Sequence, residues 1–250
     1  MPGARLPPAV TATSAEVMIT AMAHLLRDGE VAITGAFSAM PMLACRLAQL
    51  THAPNLTLIA GGSGAVNPAL DPVPASSCDE RLLDADAVLD LGQVIDVEAY
   101  TRIDVFFAGG LQIDALGRCN LAGVRSEGKW KLRGPGSVGL PFLSRARRVI
   151  LYTTSHSRRT FVPAVDFVSG NAAKEGGTPA VTPLAVISVG EKPRLVSAHP
   201  GVRAEEVVAE TGFPLEVPDP VPQTPLPTEA ELAVLRRLDP EGVARSLPAR

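Results

Sequence analysis

Three short runs of the sequence are apolar without polar alternation, and they organise the rest of the chain. They cover residues 56–60, 103–108 and 149–153. Runs of this kind predict strands that are buried on both faces of a sheet. Stretches with apolar residues at helical spacing lie between them, at about 14–28, 40–50 and 89–101. The alternation predicts an α/β fold with a mainly parallel sheet flanked by helices.

The remaining segments are predicted from weaker patterns. Residues 31–34 form a strand, residues 111–114 and 119–121 form two short strands around a turn, and residues 184–189 and 195–198 form a hairpin. The other predicted elements are a proline-rich loop at 65–80, a helix from the glycines at 134–139 to 146, a strand at 161–167, and helices at 203–210 and 228–238. Residues 1–13 are predicted to be a frayed arm, and residues 14–250 a single domain.

Composition narrows the class of protein. A chain of 250 residues can bury one large core, and its net charge of −3 gives no reason to expect nucleic acid or an anionic membrane as a partner. No apolar run approaches the length of a membrane span, and no secretion signal is visible. The three cysteines are widely spaced without a CxxC pair, which predicts a reducing, cytoplasmic setting and no metal site.

The glycine-rich turn after the strand at 56–60 is the first candidate site, because ligands of open α/β sheets bind beyond the carboxyl ends of strands. The turn consists of Gly61, Gly62, Ser63 and Gly64. It nearly matches the GxSxG nucleophile elbow of serine hydrolases, with an aspartate at 166 and a histidine at 199 in the right order. Prolines at 68, 72 and 74 prevent the helix that an elbow needs. A serine hydrolase is therefore an improbable alternative.

A second glycine-rich segment begins at Gly134 and matches GxGxxG. The charged residues before it do not resemble a buried strand, and no acid follows about 20 residues later, so dinucleotide binding is disfavoured. Backbone amides of Gly136 and Ser137 that face an anion or oxyanion are the better interpretation.

Several single residues could carry chemistry but have more common explanations. His156 and His199 follow predicted strands and could act as acid or base, although a solvated loop histidine is the commoner case. Arg158 and Arg159 could hold a carboxylate or phosphate, or could simply be exposed. Cys78 follows the first glycine turn, but no base is visible beside it.

The segment at 106–123, FFAGGLQIDALGRCNLAG, resembles the β subunit of class I, glutaconate-type CoA-transferases. That family carries G-x-A-Q-[IV]-D-x-x-G-N-x-N here. The matching residues are Gly110, Gln112, Ile113, Asp114, Gly117 and Asn120. Leu111 replaces the alanine and Arg118 replaces the first asparagine. The similarity extends from about residue 29 to 240 and includes APNLTLIAGG, the GPGS loop and RRTFVPAVDFVSG.

The resemblance implies a three-layer α/β/α fold and a heteromer in which a homologous α subunit completes an acyl-CoA site. True transferases of the family end the strand equivalent to 56–60 in a glutamate, which attacks the thioester and carries CoA covalently. Aligned through Ala53-Pro54, the position of that glutamate is Gly61. Members without this glutamate hydrolyse a carbon–carbon bond or decarboxylate an acyl-CoA, and the sequence is most similar to that group.

The resemblance therefore predicts a β subunit that acts on a carboxylated acyl-CoA thioester, with no permanently bound cofactor. The predicted catalytic positions are Gly61, Ser63 and Asn120. The predicted substrate-binding positions are Gly62, Gly64, Gln112, Gly134, Gly136 and Ser137. Gln112 and Asn120 would orient the substrate or hold the loop. Two alternatives stay open, namely CoA transfer with a carboxylate from the α subunit, and a β subunit that is only a scaffold.

Overall fold

The computed structural model describes residues 11–69, 71–99, 102–137, 139–243 and 245. Most of the predicted arm at 1–13 and the last two residues of the predicted helix at 89–101 lie outside these ranges. Of the arm, Thr13 is described, and it begins the first helix with a capping box that it shares with Glu16.

The described residues form five α-helices and fifteen short strands. The helices are α1 (Ser14–His24), α2 (Ala39–Leu50), α3 (Leu91–Ala99), α4 (Ala204–Glu210) and α5 (Glu229–Leu238). The first strands are β1 (Val31–Thr34), β2 (Thr57–Ala60), β3 (Ala65–Val66), β4 (Ala87–Val88), β5 (Val105–Ala108), β6 (Gln112–Asp114) and β7 (Arg118–Asn120). The others are β8 (Gly123–Ser126), β9 (Lys129–Arg133), β10 (Arg148–Tyr152), β11 (Phe161–Val162), β12 (Gly170–Asn171), β13 (Thr178–Val181), β14 (Ala185–Val189) and β15 (Arg194–Ala198).

Nine strands form the central sheet, in the order β15-β14-β13-β10-β5-β1-β2-β3-β4. The five strands from β13 to β2 run parallel, whereas the two strands at each edge are antiparallel. The predicted inner strands at 56–60, 103–108 and 149–153 correspond to β2, β5 and β10, so the mostly parallel α/β sheet is confirmed. The carboxyl ends of the parallel strands share one edge, which is where a site is expected.

Each face of this sheet is covered by its own apolar layer. On one face, α1, α2 and α5 pack on side chains such as Leu58, Phe107 and Ile150. On the other face, α3 and α4 pack on Ile33, Phe106 and their neighbours, together with a second sheet of order β11-β6-β7-β12. The α/β/α layering is present, but strands form much of one outer layer.

The structure differs from the sequence prediction where glycine and proline set the local backbone. The helix expected from 134 to 146 is a five-residue 3-10 helix, Leu140–Ser144, which Gly139 precedes at φ 79° and in which proline occupies the first turn. The helix expected to reach residue 28 ends at His24 because the chain must turn at Gly29 (φ 76°) to enter β1.

Other differences concern short strands. The predicted loop at 65–80 begins with β3, which pairs with β2 and β4. The strand predicted at 161–167 is limited to β11, because proline follows Val162. The β8–β9 hairpin and strand β13 were not predicted. In the described residues, no helix combines the length and apolar character needed to cross a bilayer.

Candidate active site

The glycine turn after β2 lies at the carboxyl edge of the central sheet, beside the end of β1. Thr34 of β1 pairs with Ala60 of β2, and the amide of Gly61 extends the ladder by donating to the Thr34 carbonyl at 3.0 Å. A Cβ placed on Gly61 would lie 2.5 Å from that carbonyl oxygen. Such a distance is far below van der Waals contact, so the backbone here excludes any side chain.

The other glycines of the turn are also in close contact, each with a different partner. Gly64 has a φ of 74°, and a Cβ there would overlap the Leu89 carbonyl, so Gly64 is packed against the backbone and is not open to a ligand. Gly62 is exposed, but a Cβ on it would lie 2.6 Å from both Cys78 Sγ and Ser77 Oγ. The chain at 77–78 thus lies directly over Gly62.

The Ser63 hydroxyl stabilises its own turn. It donates to the Ala60 carbonyl at 3.4 Å and accepts from the Ala65 amide at 3.3 Å. The amides of Ser63 and Gly64 also donate to the Ala60 carbonyl. The side chain predicted to be catalytic therefore has a local structural role as well.

Ser77 joins the ends of β1 and β2. Its buried hydroxyl donates to the carbonyls of Gly35 and Ala36, at 2.8 and 3.1 Å, and accepts from the Gly62 amide at 3.1 Å. Cys78, the next residue, has an exposed free thiol. No sequence pattern indicates this proximity, because the loop and the glycine turn are well separated along the chain.

A further polar pair at the same edge was missed from the sequence. Ser38 follows β1 and its hydroxyl lies 2.9 Å from the Tyr152 hydroxyl at the end of β10. Burial raises the pKa of Tyr152, although the Ser38 hydrogen bond opposes the shift. The Tyr152 hydroxyl is therefore a neutral hydrogen-bonding group at neutral pH.

Gln112 and Asn120 lie in a buried network between β6 and β7. Asn120 Nδ2 donates to Gln112 Oε1 and to the Gly123 carbonyl, both at 2.7 Å, and Asn120 Oδ1 accepts from the amides of Ala122 and Gly123. Gln112 also exchanges hydrogen bonds with Asp166. All their polar atoms have protein partners, so of the two predicted roles the structure favours holding the loop.

The segment from Gly134 to Ser137 is attached to the residues that precede the β8–β9 hairpin. The amide of Gly134 donates to the Ala122 carbonyl at 3.0 Å, and the amide of Gly136 donates to the Leu121 carbonyl at 3.2 Å. Gly136 is therefore not a free oxyanion donor, contrary to the sequence prediction. The Ser137 amide has no acceptor among the described residues and remains available.

The two histidines proposed as acid or base are both buried and fully bonded. His156 contacts the hydroxyls of Thr182 and Thr211, at 2.8 and 3.0 Å. His199 contacts Thr224 Oγ1 at 2.9 Å and the Thr182 carbonyl at 2.7 Å. Burial lowers the pKa of each to about 4. The serine-hydrolase alternative loses its base, because His199 has no free nitrogen for Ser63.

Comparison with known proteins identifies the family. A family model described as Coenzyme A transferase matches residues 15–210. One of the subunits of 3-oxoadipate CoA-transferase from Pseudomonas knackmussii is 33% identical over 242 residues, covering 90% of this chain and 92% of the relative. The cholesterol ring-cleaving hydrolase IpdB subunit of Mycobacterium tuberculosis is 30% identical, covering 92% of this chain and 96% of the relative.

Solved structures agree with these relatives. The structure of the decarboxylase AibA/AibB superposes with a TM-score of 0.88 at 30% identity, covering 95% of this chain and 99% of that chain. The chain therefore belongs to the coenzyme A transferase family, as the segment at 106–123 predicted. The related proteins include transferase subunits as well as a hydrolase subunit and a decarboxylase.

Proposed function

We propose that this chain is the β subunit of a cytoplasmic heteromer that decarboxylates a carboxylated acyl-CoA thioester, or hydrolyses one of its carbon–carbon bonds, without transferring CoA. A homologous α subunit would complete the site. The CoA thioester is the substrate, and no cofactor is permanently bound. Relatives named as a decarboxylase, AibA/AibB, and as a ring-cleaving hydrolase subunit, IpdB, support this assignment.

The observation that carries the proposal is the closed position at Gly61. A transferase of this family needs a carboxylate there to attack the thioester and hold CoA between two substrates. The Thr34 carbonyl, 2.5 Å from a Cβ on Gly61, leaves no room for a side chain. A covalent glutamyl thioester therefore cannot form at this position of this chain.

The chemistry that remains possible passes through a thioester enolate. In decarboxylation, the bond to the carboxylate breaks, carbon dioxide leaves, and the electron pair enters the system conjugated to the thioester carbonyl. In hydrolysis, water adds to a ketone carbon, and the adjacent bond breaks with its electron pair moving in the same direction. A proton from solvent then quenches the carbanion. Both routes need a donor for the developing enolate oxygen.

The unpaired Ser137 amide is the donor that we assign to this oxygen, and the Ser38–Tyr152 pair is the second polar group at the sheet edge. Gly62 and Ser63 would form the wall beside the acyl group. Gln112 and Asn120 would act as positioning residues, since they fix the strands from which the Gly134 segment extends. Gly134, which would overlap Leu121 if it carried a Cβ, permits this close attachment.

Paired variants of Ser137 test the donor in the reconstituted complex. Ser137→Pro removes the amide hydrogen, and we expect kcat to fall by roughly 10² to 10³, as for loss of one oxyanion donor. Ser137→Ala keeps the amide and should retain most of the activity. Equal losses in the two variants would exclude the amide as the donor. Acceptor-independent release of carbon dioxide or of a cleaved acid by the wild-type complex would support the proposed reaction.

CoA transfer with a carboxylate supplied by the α subunit is the second candidate. It is favoured by the 33% identity to a 3-oxoadipate CoA-transferase subunit. In that case, product would form only when a free acid is present as acceptor. An active complex that tolerates changes at both Ser63 and Ser137 would instead indicate a scaffold subunit.

A further inference from the structure

The β8–β9 hairpin concentrates positive charge on a chain that is slightly acidic. Its 11 residues carry four cationic side chains and one anionic side chain, whereas the whole chain has a net charge of −3. The cationic residues are Arg125, Lys129, Lys131 and Arg133, and all four are exposed. Within the described residues, none of them forms an ion pair with a carboxylate.

Two of these cations are held in place by one aromatic ring. The guanidinium carbons of Arg125 and Arg133 lie 4.3 and 4.5 Å from the centroid of Trp130. Strand pairing explains the arrangement, because Arg125 pairs with Trp130 and Arg133 pairs with Gly123 across the hairpin. The absence of a side chain at Gly123 lets the ring lie over the backbone, since a Cβ there would be 3.0 Å from the ring carbons.

This arrangement prepares the two arginines for an anion. Stacking on an aromatic face fixes the guanidinium planes and leaves their edges free to donate. Guanidinium groups bind phosphates through pairs of parallel hydrogen bonds, and less side-chain entropy is lost when the groups are already ordered. Two ordered guanidiniums and two lysines therefore fit a ligand with several phosphate oxygens.

The hairpin is also directly connected to the proposed oxyanion donor. Arg133 is followed by Gly134, whose amide is bound to Ala122 just before β8. The hairpin and the Gly134–Ser137 segment therefore form one attached unit. At a rise of roughly 3.3 Å per residue, Lys129 at the start of β9 lies about 16 Å from Gly134. An extended pantetheine arm spans a similar distance.

We propose that the β8–β9 hairpin binds the phosphate groups at the nucleotide end of the CoA thioester while the Ser137 amide faces the thioester oxygen. This inference rests on the proposed function and adds the determinant of affinity for CoA. Arg125 and Arg133 bind the phosphates, Trp130 positions the two arginines, and Lys129 and Lys131 add charge. Binding should weaken as salt increases, because exposed cations are screened.

The test compares two substrates on the reconstituted complex of this chain with its α partner. One substrate is the full acyl-CoA, and the other is the same acyl group on N-acetylcysteamine, which lacks the nucleotide. The double variant Arg125→Gln/Arg133→Gln should raise KM for acyl-CoA roughly tenfold or more, with kcat nearly unchanged. KM for the truncated substrate should not change. The matched control is Lys192→Gln/Arg194→Gln on the β14–β15 hairpin, which should behave as wild type.

Trp130 supplies an independent readout, because it is the single tryptophan of the chain. Adenosine 3′,5′-bisphosphate added to the complex should change the Trp130 fluorescence, taken as the difference between the wild-type and the Trp130→Phe complex. The change should disappear at high salt and in the double arginine variant.

Three results would overturn the inference. They are an unchanged KM in the double variant, an equal loss with the truncated substrate, and a weakened subunit assembly in light scattering that accounts for the loss. In each case, turnover of acyl-CoA by the wild-type complex would leave the proposed function intact. A wild-type complex that neither binds nor turns over any CoA thioester would instead refute the proposed function.

Discussion

The protein contains two polar regions that differ in how completely their groups are bonded. In the interior, around Asn120 and around the histidines, every functional side-chain atom has a protein partner. At the sheet edge and along the β8–β9 hairpin, the Ser137 amide, the Cys78 thiol and four cations face outward. Groups that are already bonded hold the fold, whereas unbonded groups at an edge can act on a ligand.

The largest effect expected in the interior comes from the two histidines. Burial lowers their pKa values to about 4, against 6.5 for the unperturbed group. The unfolded chain therefore binds protons that the folded chain does not. The contribution to stability is fully present above pH 6.5 and is lost as the pH falls towards 4, by on the order of 3 kcal/mol for each histidine.

Urea unfolding at a series of pH values measures this loss. The free energy of unfolding should fall steeply between pH 6.5 and 4, and the slope should be smaller in His156→Gln and in His199→Gln. A wild-type protein whose stability does not change across this range would show that the histidines are not buried and neutral.

The second effect concerns Asn120, whose removal breaks the network between β6 and β7. Asn120→Ala leaves the Gln112 oxygen and two backbone amides without their partners, so we expect a loss of about 2 to 4 kcal/mol in the free energy of unfolding. Asn55→Ala, at an exposed asparagine that bonds Asp28, is the control and should cost less than about 1 kcal/mol. If Asn120→Ala abolished turnover without loss of stability, Asn120 would contact substrate after all.

The family motif around Asn120 illustrates how much the sequence could predict. It identified the family correctly, and the apolar runs located the inner strands β2, β5 and β10. The motif could not assign roles, because a buried asparagine that holds a loop and one that binds a substrate have the same letters. The contact between Gly62 and Cys78 depends on the path of a proline-rich segment, and the pattern of a single strand carries no information about that path.

The third effect tests the closed position at the sheet edge. Gly61→Ala places a Cβ against the Thr34 carbonyl and should destabilise the protein by roughly 1 to 3 kcal/mol, as other overpacking substitutions do. Gly92→Ala in α3 is the matched control, and it should be neutral or stabilising by up to about 1 kcal/mol because it lies in a helix. A stable Gly61→Ala protein would mean that the edge can open to admit a side chain.

The smallest effect is expected at Ser63. Its hydroxyl makes two long hydrogen bonds, of 3.3 and 3.4 Å, within its own turn. Ser63→Ala should therefore change the free energy of unfolding by less than about 0.5 kcal/mol and should leave turnover within a few-fold of wild type. A complete loss of turnover in a stable Ser63→Ala complex would place the hydroxyl in the reaction.

The central claim is that no carboxylate of this chain can hold CoA at Gly61. The most direct measurement incubates the reconstituted complex with a CoA thioester and a panel of labelled free acids, then treats it with borohydride and analyses this chain by mass spectrometry. The account predicts no label exchange between acids and no reduced glutamyl adduct, while carbon dioxide or a cleaved acid is released without an acceptor. Rapid exchange together with an adduct on a glutamate of this chain would contradict it.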